Sequence, residues 1–199
     1  MTAPESRTGG DMSRGPIIAL AAAVGLTALS YWSVIDADFI VVDDDFYVYD
    51  NPMVSSGLSG DSIAWAFSES SQANWIPLTL LTYLIDAELF GIRPAGFHFT
   101  NLLLHLVGSS LCFFAFNALT KSAWRSVMLA AVFALHPVHV ESVAWVSSRK
   151  DVLSGIFFFL ALMAYARYAE SKSTRHMLAV LIAFAGALMS KPVVMTLPF

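Results

Sequence analysis

Pro16 to Ile35 contains no charged side chain, and Gly96 to Leu119 is a second run of the same kind. A helix needs about 20 consecutive apolar residues to cross the ~30 Å hydrocarbon core of a bilayer. Composition agrees: 57% of the 199 residues are hydrophobic and 13% charged, against about 25% charged in an ordinary soluble domain. The sequence therefore predicts an all-α membrane protein and excludes a soluble globular one. The length has room for about four or five spans of ~20 residues each.

The first run is long for the apolar core of a cleaved signal peptide. It ends in Tyr31-Trp32, an interfacial anchor, rather than in a small-residue cleavage site. An uncleaved first span is expected, preceded by a flexible cytoplasmic tail over residues 1–15. Residues 16–199 then form one transmembrane module. Within it, residues 36–93 read as a long outer loop. From Asp36 to Ile92 there is no Lys or Arg, but there are Asp36, Asp38, Asp43, Asp44, Asp45, Asp50, Asp61 and Glu69. Trp75 to Phe90 is amphipathic and interrupted by Asp86 and Glu88. Its apolar part is too short to span, so an interfacial helix is expected there.

Gly96 to Leu119 is the second span, Ser126 to about Val140 the third, with Pro137 loosening its last turn. Val152 to Tyr168 is the fourth, and Met177 to about Met189 begins a fifth. Orientation follows from the basic residues. With the N-terminus in the cytoplasm, Arg7, Arg14, Lys121, Arg125, Arg167, Lys172 and Arg175 all lie inside. The acidic loop, Arg93, Arg149, Lys150 and Lys191 then lie outside. Arg149-Lys150 run against the charge rule, which points to something outside that uses their charge. Cys112 is the one cysteine, so an intrachain disulfide is excluded.

Three groups of residues could carry chemistry. Asp43, Asp44 and Asp45 follow the first span closely and lie between apolar, aromatic flanks. Adjacent carboxylates suit a general base or a cation site, and equally a solvated charge run. His98, Asn101 and His105 fall at i, i+3 and i+7 on one face of the second span. Such polar groups face a cavity or bond between helices. His136, His139 and Glu141 form a cluster whose spacing, broken by Pro137, is poor for zinc. Arg149 and Lys150, with Lys191 in support, suit a phosphate: a planar fork and a point charge. Together these describe carboxylates near the outer leaflet with cations opposite. That arrangement fits group transfer from a lipid-linked phosphate to an acceptor hydroxyl.

The strings DDDFYVYDNPMV (Asp43 to Val54), NWIPLT (Asn74 to Thr79), PAGFHFTNLLLHL (Pro94 to Leu106), LHPVHVESVAWVSSRKDVLS (Leu135 to Ser154) and SKPVVMTLPF (Ser190 to Phe199) resemble bacterial relatives of the transmembrane and tetratricopeptide-repeat-containing (TMTC) proteins. Those are similar to the GT-C superfamily of membrane glycosyltransferases. The resemblance implies a GT-C-like N-terminal module that transfers a sugar, with mannose a candidate, from a polyprenyl-phosphate donor to a protein or glycan hydroxyl on the non-cytoplasmic face. It places a catalytic acid among Asp43, Asp44 and Asp45, with Asp44 and Asp45 favoured by their spacing to Asn51. It places His136, His139, Glu141, Arg149 and Lys150 near the donor. A divalent cation (Mg or Mn) on Asp44 and Asp45 is left open, because some members of the superfamily use one. The partners implied are the bilayer, the lipid-linked donor and the acceptor, with no nucleic acid, and the expected location is a bacterial inner membrane. No 34-residue helical repeat is found, and the chain stops inside a motif, so a longer parent chain is expected. A transporter-like subunit and a non-catalytic scaffold are the rival classes.

Overall fold

A computed structural model describes residues 14–70 and 74–196 of the chain. The tail expected over residues 1–15 falls almost wholly outside them, as does the last part of the SKPVVMTLPF string. The described residues are helical throughout and contain no β-strand.

Helix α1 (Arg14–Tyr31) continues as a 3-10 turn at Trp32–Asp36. The acidic segment that follows turns through a single π-type turn at Asp45–Tyr49 into α2 (Pro52–Ser55), α3 (Gly60–Ser68) and α4 (Pro77–Phe90). Then come α5 (Pro94–Thr120), α6 (Ala123–Leu135), α7 (His139–Ala144), α8 (Arg149–Ser171) and α9 (Thr174–Ser190). Three stretches are long and apolar enough to cross a membrane: Arg14–Asp36, Pro94–Thr120 and Val146–Ser171. The other two expected spans are shorter. At ~1.5 Å per residue, the 13 residues of α6 reach about 20 Å.

The reason α6 falls short of the expected Val140 is local. Pro137 disfavours helical geometry at the residue before it, and His136 is extended at φ −67°, ψ 129°. The helix therefore stops at Leu135, one residue short of His136, and the chain restarts as the separate α7.

Helix α5 is central, packing on α1, α4, α6, α7 and α8, while α9 packs on α8 and α4. One apolar cluster joins Leu20, Phe113, Val127, Ala130 and Phe159 across α1, α5, α6 and α8. A second joins Tyr47, Val48, Val54, Leu80, Tyr83, Leu84, Phe97 and Val146, tying the acidic segment and α4 onto α5 and the residues before α8. Helix α4, expected to be amphipathic and to lie on the membrane surface, is apolar on more than one side, and one face is buried by protein. Ile85 and Leu89 are left exposed on its other side.

The ends of the bundle differ in charge. Lys121, after α5, pairs with Glu170 at the end of α8 at 2.5 Å. Arg125 in the first turn of α6, Arg167 near the end of α8, Lys172 between α8 and α9, and Arg175 in the first turn of α9 lie at the same end. The acidic segment lies against the opposite end, at the start of α8.

Close packing fixes the α4–α5 corner. A Cβ at Gly96 would lie 2.5 Å from Phe90 Cβ and Cγ, and Phe90 cannot swing away at its own Cβ. Gly96→Ala is expected to destabilise the protein by about 1–3 kcal/mol, read as a lowered thermal midpoint in detergent. Gly25→Ala is the control, because nothing lies within 4 Å of a Cβ there.

Candidate active site at the acidic turn

The end of α7 and the segment leading into α8 are held at three carbonyls. Asn101 Nδ2 donates to the carbonyls of Val143 (3.3 Å) and Trp145 (3.2 Å). Tyr83 Oη donates to the Val146 carbonyl at 2.9 Å. The segment in turn grips the acidic turn. Trp145 Nε1 donates to the Val42 carbonyl at 3.1 Å. Ser147 donates twice to Asp44 Oδ1, from its backbone N–H at 2.8 Å and its Oγ at 2.5 Å. The Ile40 N–H reaches Asp44 Oδ2 at 3.0 Å. Asp44 is fully buried, whereas Asp43 and Asp45 on either side are half-buried. Asp43 adopts a left-handed φ of 67°. Asp45 Oδ1 accepts from the Phe46 N–H at 2.8 Å.

Below this turn lies a buried ion pair. Arg149, fully buried, sets Nη2 2.6 Å from Asp86 Oδ2, and Asp86 is itself buried. Arg149 also donates to Asn101 Oδ1 (2.6 Å), Thr82 Oγ1 (3.2 Å) and the Phe97 carbonyl (2.8 Å). Its guanidinium lies over the Tyr83 ring at 4.7 Å. Thr100 Oγ1 donates to Asp86 Oδ1 at 2.7 Å. Burial pushes the Asp86 carboxyl above the ordinary range, against the pull of Arg149 and the Thr100 hydroxyl. The fork expected to meet a phosphate is therefore engaged inside the protein. Lys191 is likewise engaged, paired with Asp151.

Lys150 differs. It is half-buried, its Nζ stands 5.4 Å from the centre of the Tyr47 ring, and it has no carboxylate partner among the described residues. Burial raises the Tyr47 hydroxyl, a hydrogen bond with Asn74 opposes this, and the nearby Asp43 and Glu69 carboxylates add to the rise. The Asp43 charge and the Lys150 ammonium thus both act on Tyr47.

The histidines fall into two places. His98 is fully buried beside Asp38, and neither ring nitrogen makes a hydrogen bond of normal geometry. His105 and His139, with ring centres 5.6 Å apart, line a cavity of ≈ 250 Å³ together with Phe133, Ser142 and Asp151. His105 Nε2 lies 3.0 Å from the Ala134 carbonyl. Burial and the neighbouring His136 lower the basicity of His139. His136 and Glu141 are exposed, and the His136 Nδ1 accepts from the Val138 N–H at 3.1 Å. The acidic turn, Asn101, Arg149 and Lys150 are therefore brought together, while His105, His136 and His139 belong to a neighbouring cleft.

Among curated proteins the chain is similar to protein O-mannosyl-transferase Tmtc2 of Drosophila melanogaster, 32% identical over 185 residues, which cover 86% of this chain and 20% of the relative. The chain is a relative of the TMTC proteins. It is also similar to protein O-mannosyl-transferase TMTC1 of Homo sapiens, 32% identical over 76% of this chain and 18% of the relative. For human TMTC4 the figures are 34%, 66% and 20%. The TMTC-like chain thus spans about a fifth of the length of the curated relatives it matches. No family model matches it, and no solved structure does.

Two further observations bear on chemistry in this TMTC-like chain. Among the described residues no three His, Cys, Asp or Glu side chains converge on a metal-sized point. Asp44 already accepts from three N–H or O–H donors, which point protons at its oxygens where a cation would sit. Both lone pairs of Asp44 Oδ1 and one of Oδ2 are thereby committed inside the protein. Sequence reasoning also missed Asp86 and Ser147. The one available signal for Asp86 was a carboxylate, shared with Glu88, interrupting an apolar helix. Ser147 gave none.

Proposed function

We propose that this chain carries the acceptor-activating part of a GT-C-type membrane glycosyltransferase. It would move a sugar, mannose first among candidates, from a polyprenyl-phosphate donor to a hydroxyl of a protein or glycan on the non-cytoplasmic side. The observation that carries this reading is the acidic turn pinned beside Lys150, in a chain whose relatives are named protein O-mannosyl-transferases. The placement of five membrane-crossing segments, N-terminus inside, is part of the same proposal. Its support is the gathering of Lys121, Arg125, Arg167, Lys172 and Arg175 at the end of the bundle away from the acidic turn.

A carboxylate of the turn takes the proton of the acceptor hydroxyl while that oxygen bonds to the anomeric carbon of the sugar. The bond from that carbon to the phosphate oxygen breaks, and its electron pair stays on the phosphate. Lys150 is the cation free to offset the added charge. The half-buried Asp43 and Asp45 are the acids that can reach an acceptor. Asp44, sealed inside, serves as their anchor. No step is routed through a metal ion.

The test uses membranes containing the chain, matched membranes without it, and a panel of radiolabelled polyprenyl-phosphate sugars. Label transferred to acceptor only where chain and donor are both present is the expected result. Equal label in both membranes, for every donor, removes the reading.

A further inference from the structure

Ser147 touches neither donor nor acceptor in the proposed transfer, yet it donates two hydrogen bonds to one carboxylate oxygen across 103 residues of chain. We propose that Ser147 and Trp145 are positioning residues, a two-point clamp that presents Asp43 to the acceptor. The inference rests on the transferase reading for the reaction it serves.

The contacts run outward from the core. Asp86 fixes Arg149, and Arg149 fixes the Asn101 amide by donating to its oxygen. That leaves the Asn101 nitrogen to hold the carbonyls of Val143 and Trp145, while Tyr83 holds that of Val146. A segment tied at three carbonyls presents its next donors in fixed directions. Trp145 Nε1 takes the carbonyl of Val42, and Ser147 takes the side chain of Asp44. With Val42 and Asp44 both gripped, the residue between them arches over the clamp, and Asp43 does so at φ 67°. Lys121 and Lys172, the other non-glycine positive-φ residues described, close the ends of α5 and α8. Left-handed closure there is ordinary helix chemistry. Asp43 closes no helix; it is the centre of a tight turn in which the Asp44 N–H donates to the Val42 carbonyl at 2.9 Å, and the clamp grips both of those end residues.

The experiment compares wild type, Ser147→Ala, Ser147→Thr and Trp145→Phe. Each is assayed for sugar transfer and labelled with a water-soluble carbodiimide and an amine, read by peptide mass spectrometry. In Ser147→Ala, kcat should fall about 10- to 100-fold, because a small displacement of a reacting group is amplified in rate, while the donor KM stays within about twofold. Ser147→Thr keeps the hydroxyl and should restore most of kcat. Trp145→Phe, which keeps the ring and loses one donor, should show the same kcat loss and covers the case of a misfolded Ser147→Ala. Asp44 should resist labelling in wild type and become reactive in Ser147→Ala. Wild-type kcat in both Ser147→Ala and Trp145→Phe, or Asp44 equally reactive in wild type and variant, overturns the clamp. A wild type that labels as expected but transfers no sugar overturns the transferase reading, and the catalytic role of the clamp with it.

Discussion

Replacing Arg149 by alanine is expected to lower the unfolding free energy by about 3–5 kcal/mol, the range for breaking a buried ion pair from one side. The substitution leaves Asp86 buried with only the Thr100 hydroxyl. It also strips a donor from Asn101 Oδ1 and from the Phe97 carbonyl, and opens a cavity under Tyr83 and Phe97. For a domain of ordinary stability, about 5–15 kcal/mol, that is between a fifth and the whole. The check is the thermal midpoint in detergent, together with the fraction of protein eluting as a single species. Asp86→Leu combined with Arg149→Met removes both charges and keeps apolar bulk, so it should be less damaging than Arg149→Ala alone. If the double variant is the worse of the two, the ion pair stabilises the protein in its own right.

The second large effect concerns activity. Asp43→Asn with Asp45→Asn is expected to reduce sugar transfer by about 10²–10⁴-fold, the usual contribution of a general base, at an unchanged level of folded protein. Both positions are half-buried, and an amide fits where the carboxylate stood. Asp44→Asn should behave differently. Its two oxygens accept donors on both sides, from Ser147 and from Ile40. An amide has one oxygen, so in either orientation its NH2 faces another donor. Less folded protein is the expected result there. Transfer rates normalised to folded protein separate the two cases. A fully folded, inactive Asp44→Asn beside an active double variant would reverse the assignment.

The long spans were legible because α1 and α5 each contain an uninterrupted uncharged run, and nothing tertiary is needed to read that. Helix α6 was overrun because Pro137 was admitted as a loose last turn, whereas its restriction on His136 ends the helix at Leu135. The acidic turn was legible as a place but not in its division of labour. Three adjacent aspartates look alike in sequence, and the one that turns inward is chosen by Ser147, 103 residues away. Arg149 was read as a free cation for the same reason. Its charge is visible in the string, but Asp86, Thr82 and Phe97, which enclose it, reach it only through the packing of α4 and α5 on α8. Side chains whose meaning depends on distant partners are those that a linear reading misassigns.

The separation between Asp44 and Ser147 also sets an order of events in the cell. At roughly 5–20 residues per second, a ribosome needs about 5–20 s to make the chain that separates them. During that interval the three aspartates have emerged beside the first helix with no clamp to receive them. The acidic turn thus waits for residue 147, and an unfinished chain that stalls before it holds its early helices without the two hydrogen bonds that fix Asp44.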